Sequence, residues 1–348
     1  MLLNSLGFNN FYFNYLNENK ISQQLIGRII RESKKNYIVK TNTENISAQI
    51  SGNLRYSAKK RSDFPAVGDW VVLKNKHTDS PIIKTILPRK SIIERQAIGK
   101  FGKKQTIATN VDIAFIMQDI NHDFNLNRLD RFLAICYSSK VEPIIILTKI
   151  DLMESSKLGF HMKQIQSRFN DVITLKLSNK SLEGFKQIRE NIKCGKTYCF
   201  IGASGAGKSS LINNLIGEKV MLTKSLREKN NKGKHTTSHR ELFILKNSGI
   251  LIDTPGMREL GIVESYNSLE STFQRIFNIA QDCQFSNCQH INEPKCSVKN
   301  AIEIGNLEQS NLDNYHKMYQ EQEQFNSSRK GFKDKKIKPS TTHNKKSR

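Results

Sequence analysis

The stretch "GASGAGKSS", residues 202–210, decides the fold. Gly202, four further residues, then Gly207, Lys208 and Ser209 is the spacing of a phosphate-binding loop. It follows an apolar run, "TYCFIG", and opens a helical one, "KSSLINNLIG", which is the context the motif needs. Glycines let backbone N–H groups approach phosphate oxygens, and a helix N-terminus favours negative charge. Gly202, Ala203, Ser204, Gly205, Ala206, Gly207, Lys208, Ser209 and Ser210 are therefore candidate nucleotide contacts. Lys208 is the residue to reach the β- and γ-phosphates, and Ser209 the one to ligate Mg²⁺. The competing reading is a glycine-rich turn without a ligand. Against it stands "DTPG", Asp253 to Gly256, after the apolar run "GILI". It offers the Asp253 carboxylate to the magnesium sphere and the Gly256 N–H to the γ-phosphate.

Upstream lies a second motif. "LTKID", residues 147–151, ends the strand-like "VEPIIIL" and presents Thr148, Lys149 and Asp151. A carboxylate there accepts from both N1–H and the exocyclic amine of guanine, a donor pair that adenine lacks. The turn "SNK", Ser178, Asn179 and Lys180, ends the next strand and is placed to brace the base from the other side. Ordinary GTPases visit the phosphate loop first. A parallel sheet, however, gathers its loops at the carboxyl ends of its strands in whatever order the chain supplies them. From about residue 110 apolar strands alternate with helical stretches such as "NLNRLDRFLAICYSS", so the expectation is a circularly permuted α/β domain over 105–265.

Around this core, residues 22–98 carry five short β-prone runs, which predict an OB-type barrel. Arg28, Arg31, Lys34, Lys35, Lys59, Lys60 and Arg61 supply positive charge for RNA; a purely structural β-module is the alternative. Trp70 reads as barrel core, with base stacking the lesser use. The aromatics of the 1–21 extension are available to pack on the barrel. Residues 217–240 read as a mobile loop.

"CQFSNCQHINEPKC" sets out Cys283, Cys288, His290 and Cys296 as Cys-x4-Cys-x-His-x5-Cys. Three thiolates and one imidazole complete a tetrahedral zinc shell with no position left for water, hence a structural ion. His316 and His343 fall outside the spacing and read as surface residues. The module spans 266–326 and precedes a basic tail, 327–348, that composition marks as disordered alone. The fold class expected is thus multidomain: barrel, permuted P-loop domain and helical zinc module.

Lys and Arg number 55 against 32 Asp and Glu, a formal +23, which favours a polyanionic partner. The segment from Arg329 to Arg348 holds nine basic residues and one Asp, +8, so 23 − 8 = +15 remains elsewhere. No apolar run approaches the ~18 residues of a membrane span, and the N-terminus lacks a signal peptide's pattern, so a cytoplasmic protein is expected. Cys136, Cys194 and Cys199 sit in apolar or strand-like contexts rather than in a disulfide framework.

Together these motifs resemble the RsgA family, the ribosome small subunit-dependent GTPases, over residues 22 to 326. The resemblance implies binding of the small ribosomal subunit and its rRNA during late maturation, GTP hydrolysis coupled to release, slow turnover alone, and a monomer. "GKHTTSHREL" is similar to the family's switch I, so one of Thr236 and Thr237, with Thr237 favoured, completes the magnesium shell. Met257 follows "DTPG" and cannot orient a water as the usual glutamine does. By resemblance, and because imidazole can position a water, that role falls to His235. Two other readings stay open: a P-loop ATPase or kinase, separated by guanine selectivity at Asp151, and a nucleotide-switched RNA-binding protein that does not hydrolyse.

Overall fold

A computed structural model describes residues 3–33, 36–74, 81–96, 104–121, 124–218, 240–254 and 266–335. Lys34, Lys35, His235, Thr236, Thr237, Gly256, Met257, His343 and most of the 217–240 loop lie outside the described residues.

Strands β1 (Ile26–Glu32), β2 (Tyr37–Lys40), β3 (Asn45–Ile50), β4 (Trp70–Lys74) and β5 (Ile82–Ile86) close into a barrel in the order β1-β2-β3-β5-β4. All pairs are antiparallel except β3 with β5. β2 and β3 alternate as half-covered strands should, turning Val39, Ile46 and Ala48 inward. Helix α1 (Asn10–Glu18) is capped by the Asn9 side chain, which accepts from Phe11 N at 3.2 Å. Its Tyr12 and Leu16, with Phe8, seal the barrel: Phe8 meets Trp70 edge-on at 4.8 Å, and Trp70 is fully buried. Trp70 is core, as expected, and the N-terminal aromatics do pack on the barrel.

β1 departs from alternation. Ile26, Gly27, Arg28 and Ile29 are all buried, because both faces of this strand are covered. Arg28 is therefore no RNA contact, contrary to its sequence reading: it is 1% exposed. Its guanidinium donates to the Leu6 carbonyl at 2.6 Å, the Gly68 carbonyl at 3.1 Å, the Asn110 carbonyl at 3.2 Å and Thr197 Oγ1 at 2.9 Å. It also lies 5.6 Å from the Trp70 ring centroid. Burial pulls its pKa down, while the fields of Tyr12, Asp112 and Asp69 oppose that. One side chain thus ties the N-terminal segment, the barrel and the foot of the α/β sheet together. Arg28→Met would leave the Leu6 and Asn110 carbonyls unpaired in the interior, so the unfolding free energy in urea is expected to fall by on the order of 3 kcal/mol. An unchanged value would count against this role. Arg31 and Arg61 are drawn into ion pairs with Glu241 and Glu32.

After a two-stranded pair, β6 (Ile92–Gln96) with β7 (Lys104–Thr109), comes a six-stranded sheet. Its strands are β8 (Ile113–Asp119), β9 (Glu142–Thr148), β10 (Thr174–Leu177), β11 (Thr197–Gly202), β12 (Leu242–Ile244) and β13 (Ile250–Ile252), in spatial order β10-β9-β8-β11-β13-β12. Only β12 is antiparallel, paired with β13 in a hairpin. The central strands are apolar on both faces. Phe115, Met117, Ile144, Ile146, Tyr198 and Phe200 share a core with Ile188 and Leu211, residues of α5 (Phe185–Asn191) and α6 (Lys208–Ile216). Ala114, Ile116, Ile145, Leu147 and Ile201, at the alternate positions, are equally buried; α3 (Leu126–Ser138) packs on β8 and β9, and α4 (Ser155–Arg168) links β9 to β10. Cys136 and Cys199 are buried with their thiols pushed up by burial, whereas Cys194 is exposed in a turn; no described cysteine forms a disulfide.

Barrel and sheet form one compact unit, residues 1–95 and 104–261; residues 96–103 and 262–348 form another. In the second, the stretch "SLESTFQRIFNIAQ" is helical but breaks at Phe273, which separates α7 (Tyr266–Thr272) from α8 (Gln274–Ala280). α9 (Ser297–Glu303) and the long α10 (Gln309–Lys335) complete it, α10 running on into the stretch composition marks as a tail. Phe273, Ile276, Val298, Leu312 and Met318 are its core, with Tyr315 edge-on to Phe273 and Phe277.

Candidate functional site

β11 runs into the phosphate loop at Gly202, and close backbone approach explains the glycine. A Cβ there would meet the Met117 carbonyl oxygen at 2.4 Å, and φ is +153°. Gly207, at φ +88°, starts α6; a Cβ on it would meet Asn179 Nδ2 at 2.7 Å. Ala203, Ser204, Gly205 and Ala206 make the turn between, and Ser209 and Ser210 occupy the first turn of α6. Lys208 Nζ curls over this loop, donating to the carbonyls of Gly202 at 2.6 Å and Ala203 at 2.7 Å.

The "TKID" turn stands at the carboxyl end of β9. Thr148 is buried and donates through Oγ1 to the Gln118 carbonyl at 3.3 Å. Lys149 adopts the left-handed conformation, φ 61°, leading into the short turn of helix that carries Asp151. Ser178 Oγ donates to Asp151 Oδ1 at 2.7 Å and accepts from Lys180 N and Ser181 N. Asn179 Nδ2, next in the same turn, donates to the Gly207 carbonyl at 3.2 Å. The "SNK" turn is therefore the bridge: one residue grips the base-reading motif and its neighbour grips the phosphate loop.

Asp253, 6% exposed, follows β13, and Thr254 anchors that turn by donating to the Phe200 carbonyl. Burial pushes the Asp253 carboxyl up to about 6, while the Lys208 charge pulls it down. A bound cation at this carboxylate would displace its proton. The geometry thus brings Asp151, Ser178, Asn179, Gly207, Lys208 and Asp253 to one end of the sheet.

Asp119 is a residue the sequence reading passed over. It ends β8 opposite Thr148, accepts from Asn121 N at 2.9 Å and ion-pairs with Lys149 Nζ. Its only signal in sequence is an acid closing an apolar strand. Asp119→Ala would release Lys149, and the expected result is a ~3- to 10-fold weaker affinity for GDP and GTP alike, absent in a Lys149→Ala background. A full effect in that background would refute the coupling.

In the second unit the Cys283, Cys288, His290 and Cys296 ligand atoms lie within 4.8 Å of one another. Cys283 Sγ to Cys296 Sγ is 3.9 Å, Cys283 Sγ to His290 Nδ1 3.7 Å and His290 Nδ1 to Cys296 Sγ 3.3 Å. Zinc with thiolates at about 2.3 Å demands a tetrahedral edge of about 3.8 Å, so the donor set and its size fit a zinc ion. Two residues that are not among the four ligands brace the loop, one from within the motif and one from α10. The Glu293 carboxylate accepts from the backbone N–H groups of Gln289, Ile291 and Asn292, which lowers its pKa to about 2. His316, read from spacing as a mere surface residue, bonds through Nε2 to the Gln289 carbonyl at 2.8 Å.

A base-reading turn that precedes the phosphate loop in sequence yet meets it at one end of a parallel sheet defines a circularly permuted P-loop GTPase. Comparison agrees: a family model described as RsgA GTPase matches residues 86–263. "Small ribosomal subunit biogenesis GTPase RsgA 2" of Lactiplantibacillus plantarum is 39% identical over 302 residues, 87% of this chain and 84% of that protein. RsgA 1 of Oceanobacillus iheyensis is 40% identical over 299 residues, 85% of each. Among solved structures, YjeQ from Thermotoga maritima matches with a TM-score of 0.64 at 25% identity, covering 85% of this chain and 98% of that one. YloQ, described as a circularly permuted GTPase, matches at 0.61 and 27%, covering 86% and 95%. The chain belongs to the RsgA GTPase family.

Proposed function

We propose that this protein hydrolyses GTP to GDP and phosphate while bound to the small ribosomal subunit, acting in late maturation of that subunit and leaving it after hydrolysis. Family membership and the names of the relatives support the reading. The single observation that carries it is the Ser178–Asp151 bond beside the Asn179–Gly207 bond, which joins a guanine reader to a phosphate cradle.

In this reading Asp151 accepts from N1–H and the exocyclic amine, with Thr148 and Lys149 shaping the pocket and Ser178, Asn179 and Lys180 closing it. The backbone N–H groups from Gly202 to Ser210 hold the phosphates, Lys208 exchanging its two carbonyl partners for phosphate oxygens. Ser209, Asp253 and Thr237 hold Mg²⁺, which supplies charge neutralisation at the β- and γ-phosphates. Gly256 N–H contacts the γ-phosphate. His235 holds the attacking water in line, and turnover is slow without the subunit. Zinc serves structure alone. The labour divides as barrel over 22–98, GTPase over 105–265 and zinc module over 266–326, with the barrel, the zinc module and the basic 327–348 segment meeting rRNA. A +23 chain suits that partner, and no described helix is long and apolar enough to cross a membrane. A monomer working in the cytoplasm completes the reading.

Multiple-turnover GTP hydrolysis with and without purified small subunits tests it. Strong stimulation is expected, and His235→Ala should lose the stimulated part while still binding GDP. No stimulation would leave a nucleotide-switched binder; full stimulation of His235→Ala would move the water-positioning role elsewhere.

A further inference from the structure

The barrel displays an aromatic ring that its own fold does not use. Between β3 and β4 lies α2 (Gly52–Ser57), started by Ser51, whose Oγ accepts from Leu54 N at 3.2 Å. Tyr56, on this turn, is 94% exposed, far above the other exposed large apolar side chains among the described residues. It makes no ring contact and no side-chain hydrogen bond there. Arg55, Lys59 and Lys60 flank it in the chain, are exposed, and form no ion pair among the described residues.

The acids that could neutralise these cations are engaged in shaping the loop. Asp63 accepts from the backbone N–H groups of Lys59 at 2.9 Å and Lys60 at 3.1 Å. Glu32 is paired with Arg61, whose guanidinium also lies 5.9 Å from the Phe64 ring centroid. The segment is therefore held in shape by its own acids, and the chain sets three cations, unpaired among the described residues, within four positions of one exposed ring. An aromatic face takes any base, and cations beside it take the phosphates on either side. An acidic peptide would use the charges and leave the ring idle. A membrane surface would call for more than one apolar anchor.

We propose that Tyr56 is a stacking platform for an unpaired RNA base, with the adjoining phosphates on Arg55, Lys59 and Lys60; the identification of that RNA as small-subunit rRNA rests on the function proposed above. Affinity for purified small subunits, and for a labelled single-stranded oligoribonucleotide, is measured across a potassium chloride series. Tyr56→Ala is expected to weaken binding about 5- to 150-fold at every salt concentration without changing the log–log salt slope. Tyr56→Phe should bind within about twofold of wild type. The Lys59→Ala, Lys60→Ala double variant should make the slope shallower by about 2. Wild-type melting temperatures, expected for so exposed a position, confirm folding. Tyr56-dependent binding of the oligoribonucleotide without subunit binding would uphold the platform and overturn the subunit assignment. Binding of both probes by Tyr56→Ala within about twofold of wild type, or a loss that travels with a shallower slope, would overturn the platform itself.

Discussion

Asp151→Asn is expected to lose GDP and GTP affinity by on the order of 10²- to 10⁴-fold and to gain affinity for xanthosine nucleotides. In the proposed role the carboxylate supplies two charge-assisted acceptors, each bond contributing ~1.5–3 kcal/mol. An asparagine keeps one acceptor and turns the other into a donor, which faces the guanine amine unfavourably but suits the C2 carbonyl of xanthine. Ser178 matters to the outcome, because its hydroxyl already bonds Asp151 Oδ1 at 2.7 Å and would hold the amide oxygen in the same place. The Asn amide nitrogen is then left at the position of the second carboxylate oxygen. Calorimetry with GDP and XDP reads the exchange directly. Equal discrimination in both proteins would mean that the base is read by another residue, and the ATPase or kinase alternative would return.

The second large effect is expected on stripping the metal, or in Cys296→Ser. Cys296 is 5% exposed and stands at the N-cap of α9, so an ion bound by its thiolate would also fix the start of the helix that follows. Structural zinc contributes ~10–16 kcal/mol in small modules of this kind, more than a unit built of short helices can replace. Residues 283–303 should lose hydrogen-exchange protection and the bound metal should fall from one to zero per chain. The barrel and sheet belong to a separate compact unit, so GDP affinity is expected to survive. Retained protection after chelation would show that the cluster does not depend on an ion. Glu293 and His316 would not rescue the loop, since both bond its backbone rather than replace a ligand.

The motifs were legible because their chemistry is local: a glycine spacing, an acid three residues after a threonine, four soft ligands within one short loop. The barrel was legible from short runs that alternate. What sequence concealed was created by distant packing. Arg28 sits in a strand that alternation leaves half in water, yet the N-terminal segment and the sheet cover its other side. The same covering keeps Trp70 away from solvent. Asp119 becomes meaningful only when β8 lies beside β9, and His316 only when α10 returns to the metal loop. The break at Phe273 has no proline or glycine to announce it.

The seam between β8 and β11 pairs Ile113 with Tyr198, joining the opening strand of the sheet to one made much later. During synthesis β9 and β10 therefore leave the ribosome before β11, the strand that leads into the phosphate loop, and the seam cannot zip until β11 arrives. Such long-range pairing is intrinsically slow. A newborn chain thus holds its TKID and SNK turns before it has a phosphate loop, so a product truncated ahead of residue 202 has nothing with which to cradle a triphosphate.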